Sequence, residues 1–202
     1  GLQKKQGADL LMTNLHADVT MLRAMRMAGV VRGVYASTVS VYPERDRDAV
    51  EGDADGFPAN SVRYSAWGKL TAERMIEAWV QQDGHKVGIA RLVNTYGPWD
   101  DFESSSALVI PALVHRAHTT SGPLEVWGDP AVVRDFLYVS DAADGLLRVL
   151  DRGDGLTPFN LGSGIGYDMA QVVQTILSCC DQRDRGVHWD KTQPAGAARK
   201  VA

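Results

Sequence analysis

Cysteine is nearly missing from this chain. Its two, Cys179 and Cys180, are neighbours at the end of an apolar helical pattern. Adjacent cysteines rarely bridge each other, so a disulfide scaffold is excluded and buried reduced thiols are expected. Long apolar runs are missing too. Nothing approaches the roughly 18 residues that a membrane span needs, and the opening GLQKKQGADL has no signal-peptide core. A cytoplasmic protein with no membrane partner is therefore expected. Neither sign of charge prevails, with 21 Lys and Arg against 25 Asp and Glu, a net charge of −4 and a pI near 5.7. That balance gives no electrostatic case for nucleic acid as a partner. Metal chemistry lacks a ligand set. His115 and His118 stand three apart on a helix, but no third ligand is near in sequence, so a solvated helix face and no metal are expected. Internal repeats and low-complexity tracts are absent.

What is present suits a globular α/β protein. The chain is 45% hydrophobic and 23% charged, and its 202 residues suffice to bury a real core. Leu11, Leu15, Val19, Leu22 and Met25 recur at helical spacing and predict a helix from Leu10 to Gly29, the glycine being its stop. VVRGVYAST reads as a strand. The stretch 43–60 is acidic, broken by Gly and Pro, and reads as a surface loop. A helix from Tyr64 to about Gln82 follows, then HKVGIARLV as a buried strand and a helix through IPALVHRAH. After EVWG and a loop, RDFLYVSD is a strand leading into the helix DAADGLLRVL. TPFNLGSG is strand and turn, and MAQVVQTILSCC is the last helix. Strands and helices alternating at this length predict a largely parallel sheet.

Five segments hold the polar residues that could do chemistry: YASTVSVYP, YSAWGK, RLVNTYGP, VWGDPAVVRDFLYVSDAADG and FNLGSG. In this order, over about Asp9 to Val201, the chain resembles the extended short-chain dehydrogenase/reductases, the NAD-dependent epimerase/dehydratase group that acts on nucleotide sugars. YGPWDDF, VIPALVHRAH and PAGAARKV are most similar to its fucose-synthase branch. The resemblance implies a Rossmann-like, doubly wound parallel sheet lacking its N-terminal strands, with a small substrate-binding lobe. Residues 1–98 and 134–165 would form the nucleotide-binding domain, and 99–133 and 166–202 the lobe. NAD or NADP is the implied cofactor and a nucleotide-diphosphate sugar the implied substrate. The family opens with a glycine-rich turn that seats the cofactor pyrophosphate. Nothing like it precedes Asp9, and the run from Gly162 to Gly166 fails the spacing because Tyr167 occupies the third glycine position. The chain thus matches about the back two-thirds of such an enzyme.

The resemblance also implies roles for single residues. Thr38, four before Tyr42, falls on the catalytic hydroxyl. A tyrosine moves the proton at the sugar C4 oxygen, and a lysine lowers its pKa and holds the nicotinamide ribose. Here these are Tyr64 and Lys69, in Tyr-x-x-x-x-Lys, one residue longer than the family spacing. Residues five apart on an α-helix lie about 140° apart around its axis. Three accounts stand open. Tyr64 sits just before the helix, a π-bulge absorbs the extra residue, or Ser65 occupies the tyrosine's place and the acid/base is lost. Asn94, Trp127 and Arg134 fall on positions that contact the nucleotide diphosphate, with Asn94 also at the cofactor. A surface salt bridge to Asp135 or Asp141 is the competing reading for Arg134. Arg199 and Lys200 are expected to close over the same phosphates, and Asn14 aligns loosely with an active-site asparagine.

Ser40 and Trp99 stand where fucose synthases carry the cysteine and histidine that move protons at C3 and C5, and neither replaces them. The acidic pair of the 4,6-dehydratases would fall on Val39 and Ser40. A 4-ketoreductase or 4-epimerase is the expectation that remains. Its rivals are a fucose-synthase-type epimerase/reductase, and a non-catalytic member that binds a nucleotide sugar or a protein partner. A homodimer through the helix carrying Met75, Ile76 and Trp79 is open, since core packing explains those residues equally well.

Overall fold

The computed structural model describes residues 7–44, 46–54, 64–103, 106–193 and 196–202. Helix α1 (Gly7–Met27) runs into strand β1 (Arg32–Thr38), with Gly29 at φ +68° as the stop between them. Helix α2 (Tyr64–Asp83) leads to β2 (Lys86–Leu92), which lies between β1 and β7 (Phe159–Leu161) in a parallel sheet. Five consecutive residues of β2, Val87 to Arg91, are buried, as expected of a strand covered on both faces. Val87 and Ile89 pack on Ile76, Trp79 and Val80 of α2 and on Leu22 and Met25 of α1. Ile76 and Trp79 are therefore core residues of this chain. Gly88 points to the opposite face. A Cβ there would lie 2.5 Å from the Val149 carbonyl oxygen of α4 (Val139–Arg152), so the missing side chain is what lets this helix approach. Helices on both faces make the sheet doubly wound.

RDFLYVSD is not one strand. It divides at Asp135 into β5 (Val133–Arg134) and β6 (Phe136–Tyr138). β6 pairs with β3 (Asn94–Tyr96), while β5 joins β8 (Tyr167–Asp168) and the C-terminal β10 (Arg199–Lys200). The cause is Asp135, fully buried, whose carboxylate accepts from the backbone N–H groups of Ser163 and Gly164 at 3.0 Å and from the Ser163 hydroxyl at 2.6 Å. The Gly162–Gly166 run is thus a turn held on a buried aspartate. A separate core forms where β4 (Leu124–Trp127) and β9 (Val187–Asp190) pair in parallel beneath α3 (Val109–Thr119) and α5 (Met169–Cys179), around Leu113, Val126, Val173 and Leu177. Periodicity does not predict the short β3, β8, β9 and β10, because two to four residues carry too little of it. Cys179, expected to be buried, is exposed at the end of α5, and Cys180 is half-buried.

The acidic stretch after Tyr42 is not wholly a surface loop. In its described part, Ala54 is fully buried and Glu51–Ala54 form a 3₁₀ turn; residues 45 and 55–60 lie outside the described residues. A buried ionic hub ties this stretch down. Arg91 and Glu73, both nearly inaccessible, form a two-point pair at 2.6 and 3.1 Å. Glu73 also accepts from the Ser37 hydroxyl, and Arg91 donates to the Tyr42 hydroxyl at 3.0 Å and the Glu51 carbonyl at 2.8 Å. Burial opposes the charge on Arg91, yet the Glu73 hydrogen bonds and charge keep its pKa above the ordinary arginine value.

Candidate active site

Open α/β sheets bind ligands beyond the carboxyl ends of their strands. There β1 ends at Thr38, which caps a 3₁₀ turn, Val39–Val41. The Thr38 hydroxyl accepts from the Ser40 N–H and donates to the Ser40 hydroxyl, both at 3.2 Å. Lys200 donates to the same Ser40 oxygen at 2.6 Å. Lys200 makes this contact from β10, 160 residues along the chain. Arg199 is engaged too, by Asp48 at 2.5 and 2.6 Å on the surface.

Helix α2 is regular from Tyr64 to Asp83, so no π-bulge absorbs the extra residue between Tyr64 and Lys69. Tyr64, the first described residue of α2, already has helical backbone and is partly exposed, with its ring packed on Gly7 of α1. One turn on, Gly68 meets Asn14 and Leu11 of α1, so Asn14 serves the helix–helix contact. Lys69 reaches back to α1 and β1. Its ammonium lies 4.0 Å from Asp18 and 4.5 Å above the Tyr35 ring, and its side chain keeps 32% exposure. The Tyr35 hydroxyl donates to Asp18 at 2.9 Å. Burial, then the Asp18 bond and charge, push the Tyr35 pKa far upward, so this phenol stays protonated and is no acid/base.

Asn94, Trp127 and Arg134, far apart in sequence, line one cleft of about 560 Å³. Asn94 is held by a 2.9 Å bond from its amide to the Asp135 carbonyl. Trp127, at the end of β4, is half exposed, and the Arg116 guanidinium stacks 5.2 Å from its ring centre. Arg116 is fixed there by donating to the Glu125 carbonyl at 2.7 Å. Arg134 donates to the Val133 carbonyl at 2.8 Å, while the Asp135 carboxylate is turned away to Ser163 and Gly164. Sequence reasoning missed Arg116 and His115 as lining residues. Arg116 carried little local signal, because consecutive residues stand about 100° apart on a helix and it lies off the face of His115 and His118. That face is not simply solvated: His115 lines the cleft, and His118 Nε2 lies 3.5 Å from Cys180 Sγ. Trp99 is fully exposed at φ +70°, a backbone region that strains a bulky residue. Among the described residues no group of three or more His, Cys, Asp or Glu could hold a metal, and no helix is long and apolar enough to cross a membrane.

Comparison with known proteins places this geometry. The model of the NAD dependent epimerase/dehydratase family matches residues 1–162. A probable GDP-L-fucose synthase 1 from Oryza sativa subsp. japonica is 27% identical over 201 residues, covering 96% of this chain and 61% of the rice protein. Among solved structures, a GDP-6-OMe-4-keto-L-xylo-heptose reductase from C. jejuni superposes with a TM-score of 0.86 at 17% identity, over 100% of this chain and 71% of that one. UDP-glucose 4-epimerase from Thermotoga maritima gives 0.83 at 21% identity, over 99% and 63%. At these identities the superpositions establish the fold. The chain spans less than two thirds of the rice protein's length.

Proposed function

The chain belongs to the NAD dependent epimerase/dehydratase family, and we propose that it forms the substrate-holding and proton-handling part of a nucleotide-sugar epimerase or reductase acting at the sugar C4. The observation that carries this is the cleft in which Asn94, Trp127 and Arg134 converge. An aromatic face stacked with a guanidinium suits a nucleotide base, and Arg134 offers the planar two-point donor that diphosphate oxygens favour. In this reading Thr38, Ser40 and Tyr64 face the sugar. Trp99 brings no titratable group to the position where C3 and C5 chemistry needs one, which leaves C4. The lobe of residues 99–133 and 166–202 supplies most of the cleft wall, and residues 1–98 with 134–165 supply the sheet.

A nicotinamide dinucleotide would supply and accept the hydride. The residues fit such a group at one point. Lys69 presents a partly exposed ammonium, steadied by Asp18 and Tyr35, suited to ribose hydroxyls. A non-catalytic binder is the second reading. It is favoured by the unbroken α2, which sets Tyr64 and Lys69 about 140° apart around the axis.

Calorimetric titration with UDP and GDP tests the cleft. Arg134→Met is expected to weaken the bound nucleotide diphosphate at least tenfold, since a charge-assisted hydrogen bond contributes about 1.5–3 kcal/mol. Binding of neither nucleotide, or equal binding by the variant, overturns the assignment. NADPH fluorescence on binding separates the two readings, because a binder of nucleotide sugars alone gives none.

A further inference from the structure

The contact between Lys200 and Ser40 is used by none of the roles above. We propose that Lys200 is a positioning residue of the sugar-facing turn: its ammonium orients and polarises the Ser40 hydroxyl so that Ser40 donates its proton toward the sugar oxygen. The inference rests on the reading that Thr38 and Ser40 face the sugar.

A serine hydroxyl has one proton to donate and two lone pairs to accept with. Both lone pairs of Ser40 are taken, by Lys200 at 2.6 Å and by Thr38 at 3.2 Å. Its own O–H is left as a donor, aimed away from both. The ammonium beside the oxygen stabilises negative charge there and makes Ser40 a better proton donor than an isolated serine. A hydroxyl that hands its proton to a developing alkoxide is refilled from Lys200, and the amine from water, so the protons balance.

Lys200 is no stray base on a loose tail. The Val133 N–H donates to the Ala198 carbonyl at 2.9 Å and the Asp135 N–H to the Lys200 carbonyl at 3.0 Å, on one side of β10. The Ala49 N–H donates to the Val201 carbonyl at 2.8 Å on the other, and Val201 is buried. The strand is therefore clamped on both sides, and the parallel register sets Lys200 beside Arg134. Ser40 is equally fixed, since Thr38 caps its turn and the neighbours Val39 and Val41 are buried.

The test reads the charge without substrate or cofactor. In a chain with Cys179 and Cys180 changed to serine, Ser40→Cys places a titratable thiol at the Lys200 ammonium. The pH midpoint of its alkylation by iodoacetamide is expected about one unit below that of the same thiol with Lys200→Met, and Lys200→Arg should restore most of the shift. Thr38→Cys gives a smaller shift of the same sign and serves if the first variant does not fold. Equal midpoints with lysine and methionine at position 200 overturn the proposal. A lowered midpoint in a protein without turnover on nucleotide sugars upholds the coupling and removes only the functional reading.

Discussion

Tyr64 shows how much a single inserted residue can matter. Its phenol stands one position earlier on α2 than the resemblance implies, which turns it about 140° from Lys69 around the axis. If it is the acid/base, Tyr64→Phe should lower turnover at C4 by about 100-fold or more, with nucleotide affinity preserved. Unchanged turnover would give the role to another group, and Ser40 with Lys200 stands nearest in chemistry. Arg91 is the converse case. The sequence shows it as one arginine inside an apolar strand, yet it holds Glu73, Tyr42 and the Glu51 carbonyl together. Nothing local announces those partners, which lie 18, 49 and 40 residues away.

At the scale of elements, β1, β2 and α2 converge on the turn that carries Thr38 and Ser40. The hub beneath it links α2 through Glu73, β2 through Arg91 and β1 through Ser37. Glu73→Gln leaves the Arg91 charge buried without its counter-ion, which typically costs about 3–5 kcal/mol. The urea midpoint of unfolding should fall accordingly, while replacing both partners with apolar residues of similar volume should cost far less than the single change. A single variant as stable as the parent would mean that the hub contributes little. Helix α5 is specified locally instead. Asp168 accepts from the Gln171 N–H at 2.7 Å and Gln171 reaches back to the Asp168 N–H at 3.1 Å, a reciprocal cap readable in the sequence as D-x-x-Q.

For the whole molecule, three surface carboxyls are held below their ordinary pKa, two at the edges of the β4–β9 region and one on the loop after α4. Asp129 is held below the ordinary aspartate pKa by the Ala131 N–H and Lys191, and Asp190 by the Thr192 hydroxyl and N–H. Asp154, on the loop after α4, is lowered chiefly by the Thr157 N–H. A carboxyl with a depressed folded pKa contributes stability that is complete above its unfolded pKa, near 3.8, and disappears as pH falls through the folded value. The melting temperature should therefore hold near pH 5 and drop below about pH 3.5, by direct calorimetry. A flat profile through that window would show that these aspartates are equally well satisfied when unfolded.

Sequence patterns alone determined the longer helices and strands and the α/β class. Helical periodicity over α1, the apolar run of β2 and the glycine stop at Gly29 are local signals, each set by a residue's own backbone and burial preferences. The order of the five motifs singled out Thr38, Tyr64, Asn94, Trp127 and Arg134 as candidates. Only the tertiary structure decided which of these meet. Asn94, Trp127 and Arg134 share a cleft because β3 begins and β4 and β5 end around it, whereas Arg199 is drawn to Asp48. Lys200 reaches Ser40 because β10 pairs with β5. A two-residue strand has no periodicity of its own, and its pairing is set by partners distant in sequence. That is why the motif order pointed to the cleft residues but not to the lysine beside Ser40.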